Sequence, residues 1–120
     1  MAYRIFWHVP DQILYLELEG SLNLNDFTQI NRTIIDLLGN EGANRHVSLV
    51  VDITRPGNTP RDFAQLKASQ TYLLRHDLKF ILVAGRDKFM RLMMMLTFNL
   101  CKPKLRFFDN IDQALKVAKW

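Results

Sequence analysis

Tyr3, Ile5, Trp7 and Val9 alternate with Arg4, Phe6 and His8, the period of two expected of a strand. Pro10-Asp11-Gln12 supplies a turn, and alternation resumes over residues 13–18 with Leu14, Leu16 and Leu18 on one face and Tyr15 and Glu17 on the other. Two such strands around a short turn predict an antiparallel hairpin. Gly20 ends the second strand. Asn23 or Asn25 can cap a helix in which Phe27, Ile30, Ile34, Leu37 and Leu38 recur at helical spacing, with Gly39-Asn40 as its stop. Residues 46–53 (HVSLVVDI) form a third strand whose Leu49-Val50-Val51 run implies burial on both faces, in the middle of a sheet.

The loop TRPGN leads to the strongest helix-start signal in the chain: Thr59 as N-cap, Pro60 at the first helical position and Asp62 as third residue. This second helix is expected to run to about Arg75. Residues 79–84 (KFILVA) read as a buried fourth strand, and Gly85 and Asp87 open a third helix carrying FMRLMMMLTFNLC, which Pro103 ends. A short strand over 105–108 follows, then a last helix through Ala114, Leu115 and Ala118, with Asn110 and Gln113 as its capping box. The order ββαβαβαβα predicts an α/β fold, a single layer of mixed sheet of about five strands with four helices packed against it.

At 120 residues, nearly half apolar and about a quarter charged, the chain fits one globular domain with an ordinary core. One cysteine, Cys101, excludes an internal disulfide and a cysteine-based metal cluster and fits a reducing, cytoplasmic setting. The start of the chain lacks the apolar run of a signal peptide. Residues 89–101 are interrupted by polar side chains and fall short of the roughly 20 apolar residues that span a bilayer, so a soluble protein is expected. The formal charge of +4 arises from scattered cations plus a late group, Arg86, Lys88, Arg91, Lys102, Lys104 and Arg106. Without a stacking motif or helix-turn-helix pattern this group reads as a solvated basic face, suited to an acidic protein or an anionic lipid surface, with no nucleic acid as partner.

Two stretches carry a family resemblance. Residues 18–23, Leu-Glu-Gly-Ser-Leu-Asn, are similar to the L-x-G-x-L-D segment that follows the second strand of STAS domains, with Asn23 in place of the aspartate. Residues 49–53, Leu-Val-Val-Asp-Ile, are similar to the h-h-h-D-h third strand of the same family. Together with the element order, they make the chain resemble the anti-sigma factor antagonists, and more closely the divergent SpoIIAA-like or STAS/SEC14-like bacterial proteins. The resemblance implies a regulatory, non-enzymatic module with a protein partner. Its switch or partner-binding loop would comprise Asn23, Asp52, Thr54, Asn58, Thr59, Arg61 and Asp62. The antagonists carry Asp-Ser at the start of the second helix, where this chain has Asn58-Thr59-Pro60-Arg61-Asp62 and no serine.

Each of these residues also has a plainer role. A phosphate on Thr59 would sit at the positive end of a helix dipole, with Arg61 able to pair with it, and its added charge could make or break an interface. Thr59 as a simple N-cap would instead contribute about 1 kcal/mol to the helix. Asp52 could orient an anion or satisfy loop N–H groups, and Asp62 can serve the dipole alone.

Phe89, Met90, Leu92, Met93, Met94, Met95, Leu96, Phe98 and Leu100 surround the third helix almost completely, more than one face can bury. Phe89, Met90, Met93, Met94 and Phe98 are therefore expected to serve a homodimer contact, a lipid or a hydrophobic ligand, or to be plain core. His8, His46 and His76 have no metal-ligand spacing, so no metal is expected. The motifs of nucleophilic hydrolysis, nucleotide hydrolysis and dinucleotide binding are missing, so neither cofactor nor catalysis is expected.

Overall fold

The computed structural model describes residues 3–39, 46–55, 63–75, 77–98 and 103–118. Its five strands form one sheet in the order β1-β2-β3-β4-β5: β1 (Tyr3–Val9), β2 (Ile13–Glu19), β3 (Val47–Arg55), β4 (Leu78–Ala84) and β5 (Lys104–Phe108). The first pair is antiparallel and the other three are parallel. The hairpin turn places Asp11 at φ 62°, and the Gln12 N–H donates to Val9 O at 3.0 Å. Each later strand is reached through a helix: α1 (Leu24–Leu38), α2 (Phe63–Ala68), α3 (Lys88–Phe98) and, after β5, α4 (Ile111–Ala118).

Side-chain alternation divides the core. On one face Leu14, Leu16 and Leu18 of β2, Leu49, Val51 and Ile53 of β3, and Ile81 and Val83 of β4 meet Phe27, Ile30 and Ile34 of α1, Leu66 of α2 and Met90, Met93, Met94 and Phe98 of α3. On the other face Ile13, Tyr15, Val50, Leu82 and Ala84 meet Ala114 and Ala118 of α4. Small residues at these two α4 positions let the helix lie close to β3, β4 and β5. On the same face β1 carries Arg4, Phe6 and His8, with Glu17 of β2 opposite Arg4. The continuous apolar run of β3 is buried on both faces, as its sequence requires.

The second helix departs from expectation. It ends at Ala68 and is followed by a separate 3-10 helix, Thr71–Leu74, rather than continuing to Arg75. The break occurs where a polar side chain enters the core. Gln70, 3 % exposed, donates from Nε2 to Phe27 O at 2.9 Å and to Ser69 Oγ at 2.9 Å. Asn31 of α1 then accepts the Tyr72 N–H on Oδ1 at 3.2 Å. Cross-helix bonds thus replace the i→i−4 ladder.

Arg75 closes this corner with Nε to Asp77 Oδ1 at 2.9 Å, Nη2 to Oδ2 at 2.8 Å and Nη1 to Gly39 O at 2.8 Å. The bidentate pair anchors the start of β4 to the end of α1. No helix among the described residues is long and apolar enough to cross a membrane.

Candidate functional site

Parallel pairing puts the C-terminal ends of β2, β3 and β4 on one edge of the sheet, where open α/β sheets gather ligands. Asn23, Thr54 and Gly85 all lie along this edge. Gly85 is required there by close approach: a Cβ would stand 2.5 Å from Ile53 Cγ1 and 3.0 Å from the Ile53 carbonyl carbon and oxygen, at φ +149°. The loop after β4 is therefore pressed against the end of β3. Arg91 of α3 fixes it further, donating from Nε to Gly85 O at 2.6 Å and from Nη2 to Phe108 O at 3.0 Å, with an ion pair to Asp109 at 3.1 Å. Arg91 is thus committed to internal bonds and leaves the basic group read from sequence. The exposed members of that group also separate, with Arg86 and Lys88 beyond the end of β4 and Lys104 at the start of β5. Lys102 is outside the described residues.

The starts of α1, α3 and α4 along the edge are satisfied by their own side chains. Asn23 Oδ1 accepts the Asp26 N–H at 2.9 Å while Asp26 Oδ2 accepts the Asn23 N–H at 2.9 Å, a complete capping box. Asp87 Oδ1 accepts the Met90 N–H at 2.8 Å, and Asn110 Oδ1 the Gln113 N–H at 3.0 Å. The Gln113 side chain reaches back to the Asp109 N–H at 3.3 Å, one residue before the cap that closes an ordinary box. Asn23 is accordingly a cap. Asn58, Thr59, Arg61 and Asp62 lie outside the described residues, as do Cys101 and His76.

Asp52 points to the α4 side of the sheet and is 8 % exposed. Its Oδ2 accepts the Tyr15 hydroxyl at 2.6 Å, and its Oδ1 accepts the Thr54 N–H at 2.9 Å and Thr54 Oγ1–H at 2.6 Å. Three donors neutralise the desolvation cost of the carboxylate and hold the strand end. Burial, then the hydrogen bond and negative charge of Asp52, and the charge of Glu17, push the Tyr15 hydroxyl well above the ordinary tyrosine value, with Arg4 opposing. Phe6 stacks on Tyr15 with centroids 4.9 Å apart, Arg4 lies 5.5 Å from the Phe6 centroid, and Arg4 pairs with Glu17 at 3.2 Å. This layer is a lock between β1, β2 and β3. Sequence periodicity placed Tyr15 and Asp52 on their strands but carried no sign that they meet.

The third helix resolves into two arcs. Met90, Met93, Met94 and Phe98 are core, the plainer of the two readings open for them, and only the interface reading of these four falls: each follows its neighbour by three, four or one residues and faces the sheet. The outward arc is Phe89 (49 % exposed), Leu92 (46 %), Met95 (47 %) and Leu96 (37 %), so Phe89 alone of the five expected residues lies on it. The arc begins at the Asp87 cap on the same sheet edge. No group of His, Cys, Asp and Glu among the described residues could hold a metal ion.

No family model matches the chain, and no curated protein does. Solved structures do. An uncharacterized protein of the DUF3478 family from Shewanella loihica PV-4, described as having a SpoIIAA-like fold, superposes with a TM-score of 0.69 at 18% identity, over 98% of this chain and 92% of that one. The anti-sigma factor antagonist SpoIIAA in its unphosphorylated form gives 0.58 at 11% identity, over 98% of each chain. The Bacillus cell fate determinant SpoIIAA in its phosphorylated form gives 0.58 at 11%, over 97% of this chain and 98% of that one. The mixed sheet in sequential order, three helices on one face and α4 on the other, is the SpoIIAA-like fold.

Proposed function

We propose that the chain is a cytoplasmic, single-domain regulatory module that binds a protein partner and catalyses no reaction. Its docking surface is the C-terminal edge of the sheet together with the outward arc of α3. The observation that carries this reading is the exposed apolar arc Phe89, Leu92, Met95 and Leu96, which starts beside the end of β3 and has Arg86 and Lys88 exposed at its head. An apolar patch rimmed by charge is the usual composition of a protein-binding surface. The partner then offers apolar side chains flanked by acids. Likeness to an anti-sigma factor antagonist solved in phosphorylated and unphosphorylated forms supports a switchable partner.

Thr59 is the hydroxyl available in the segment between β3 and α2, and phosphate there would add nearly two negative charges beside Arg61. In this reading Asp52 and Thr54 hold the end of β3 rigid while Asn58, Thr59, Arg61 and Asp62 meet the partner. The test is capture of a partner from the native cells by tagged full-length chain. Leu92→Lys, Thr59→Glu and Arg61→Ala should each weaken capture of the same partner while leaving the melting temperature unchanged. Equal capture by all three would overturn the reading.

A second reading, a lipid or small apolar ligand held on the α3 arc, draws on the same exposed side chains and on Arg86 and Lys88 as head-group partners. Flotation of the protein with anionic vesicles, lost in Leu92→Lys, would favour it over a protein partner.

A further inference from the structure

On the α4 face, at the opposite end of the sheet from the docking edge, a cavity of about 380 Å³ opens between the last turn of α4 and the strands. It is lined by Ser48 of β3, Phe80 and Leu82 of β4, Arg106 of β5 and Val117 of α4. Its volume falls within the range of small-molecule sites, roughly 300–1,000 Å³. The register explains why these residues converge. Ser48 is paired with Phe80 and Phe80 with Lys104, while Leu82 is paired with Arg106 in the next row of the same face.

Two polar groups on this wall lack partners among the described residues. Ser48 is 8 % exposed, and its backbone N–H is used by Gln12 O at 2.9 Å, but its hydroxyl makes no hydrogen bond. The hydroxyl is thus free to donate to a group held in the cavity. Arg106 is exposed and its guanidinium enters no ion pair or side-chain hydrogen bond. Lys104, also exposed, follows the same face of the edge strand and adds a second positive charge.

We propose that this cavity binds a small amphiphilic acid. The anionic head group pairs with Arg106, whose planar fork suits a carboxylate. Ser48 donates its hydroxyl to the same ligand, and Phe80, Leu82 and Val117 pack the apolar body. The site is separate from the proposed docking surface and stands whether or not that surface binds a protein.

Octanoate, and octylamine with the same tail and the opposite charge, are the probes, titrated into the full chain with backbone amide NMR as readout. Octanoate should saturably shift the amides of Ser48, Phe80, Leu82 and Val117. Its affinity should fall about tenfold in Arg106→Gln, an exposed change that leaves the fold intact, and by a smaller factor in Ser48→Ala. Octylamine should not shift these amides. Octanoate shifts confined to α3, equal binding of the two probes, or affinity unchanged in Arg106→Gln would each overturn the proposal.

Discussion

The Tyr15 hydroxyl donates to Asp52 Oδ2 across 2.6 Å, joining the middle of β2 to the end of β3 on the face that β1 leaves to Phe6 and Arg4. The remaining carboxylate oxygen is taken by Thr54. The pair therefore acts in stability, holding the end of β3 that precedes the proposed partner-binding segment. Tyr15→Phe leaves a buried carboxylate short of one donor and should cost about 1–3 kcal/mol in urea unfolding. A change below about 0.5 kcal/mol would show that Asp52 is solvated there.

Alkali should weaken the same contact. Tyr15 keeps its proton in the folded state well above the ordinary value, so the fold favours the protonated form. This contribution is complete below about pH 10, where tyrosine in the unfolded chain is also protonated, and is lost as pH rises from there through the folded value. Unfolding free energies from urea titrations at pH 9 and pH 11 should fall more steeply for the natural chain than for Tyr15→Phe, by up to about 1.4 kcal/mol per pH unit.

Gly85→Ala should be among the most damaging single-methyl additions. The new Cβ meets Ile53 side chain and backbone at 2.5–3.0 Å, and φ +149° is unfavourable for any L side chain. A loss of about 1–3 kcal/mol is expected. Ile53→Val would not restore it, because the Ile53 carbonyl still blocks the space.

Arg75→Ala removes both bonds to Asp77, whose carboxylate side chain is 0 % exposed, and the bond to Gly39 O. Breaking a buried pair from one side costs about 3–5 kcal/mol, and thermal unfolding should show a loss of that order. Asp77→Ala in the same background should recover part of it, since it removes a buried charge that has lost its guanidinium.

The two arcs of α3 separate surface from core within one helix. Met93→Ala, at 0 % exposure, should cost about 2–5 kcal/mol, whereas Leu92→Lys, at 46 %, should change stability by less than about 0.5 kcal/mol. The reverse order would place the helix on the sheet by the wrong face.

Periodicity made the strands and helices readable, because alternation in β2 and the double-sided apolar run of β3 each have one structural solution. Capping chemistry placed the starts of α3 and α4 at Asp87 and Asn110 and narrowed that of α1 to Asn23 or Asn25, of which Asn23 is the cap. The break after Ala68 was not legible, since it depends on Gln70 reaching Phe27 O, 43 residues away. The two arcs of α3 were hidden for a related reason: methionine, leucine and phenylalanine fill both, so no polar residue marks the outer one. Ser48 and Arg106 meet only through the pairing of three strands, and nothing local joins them.

The central claim, that the outer arc of α3 docks a protein, is tested most directly by photo-crosslinking in the cells that make this chain. A photoreactive phenylalanine analogue replaces Leu92 in one sample and the exposed Arg32 of α1 in another. The account predicts one defined protein adduct from position 92, lost on adding Thr59→Glu, and none from position 32. Identical adducts from both positions, or lipid adducts alone at position 92, would contradict it.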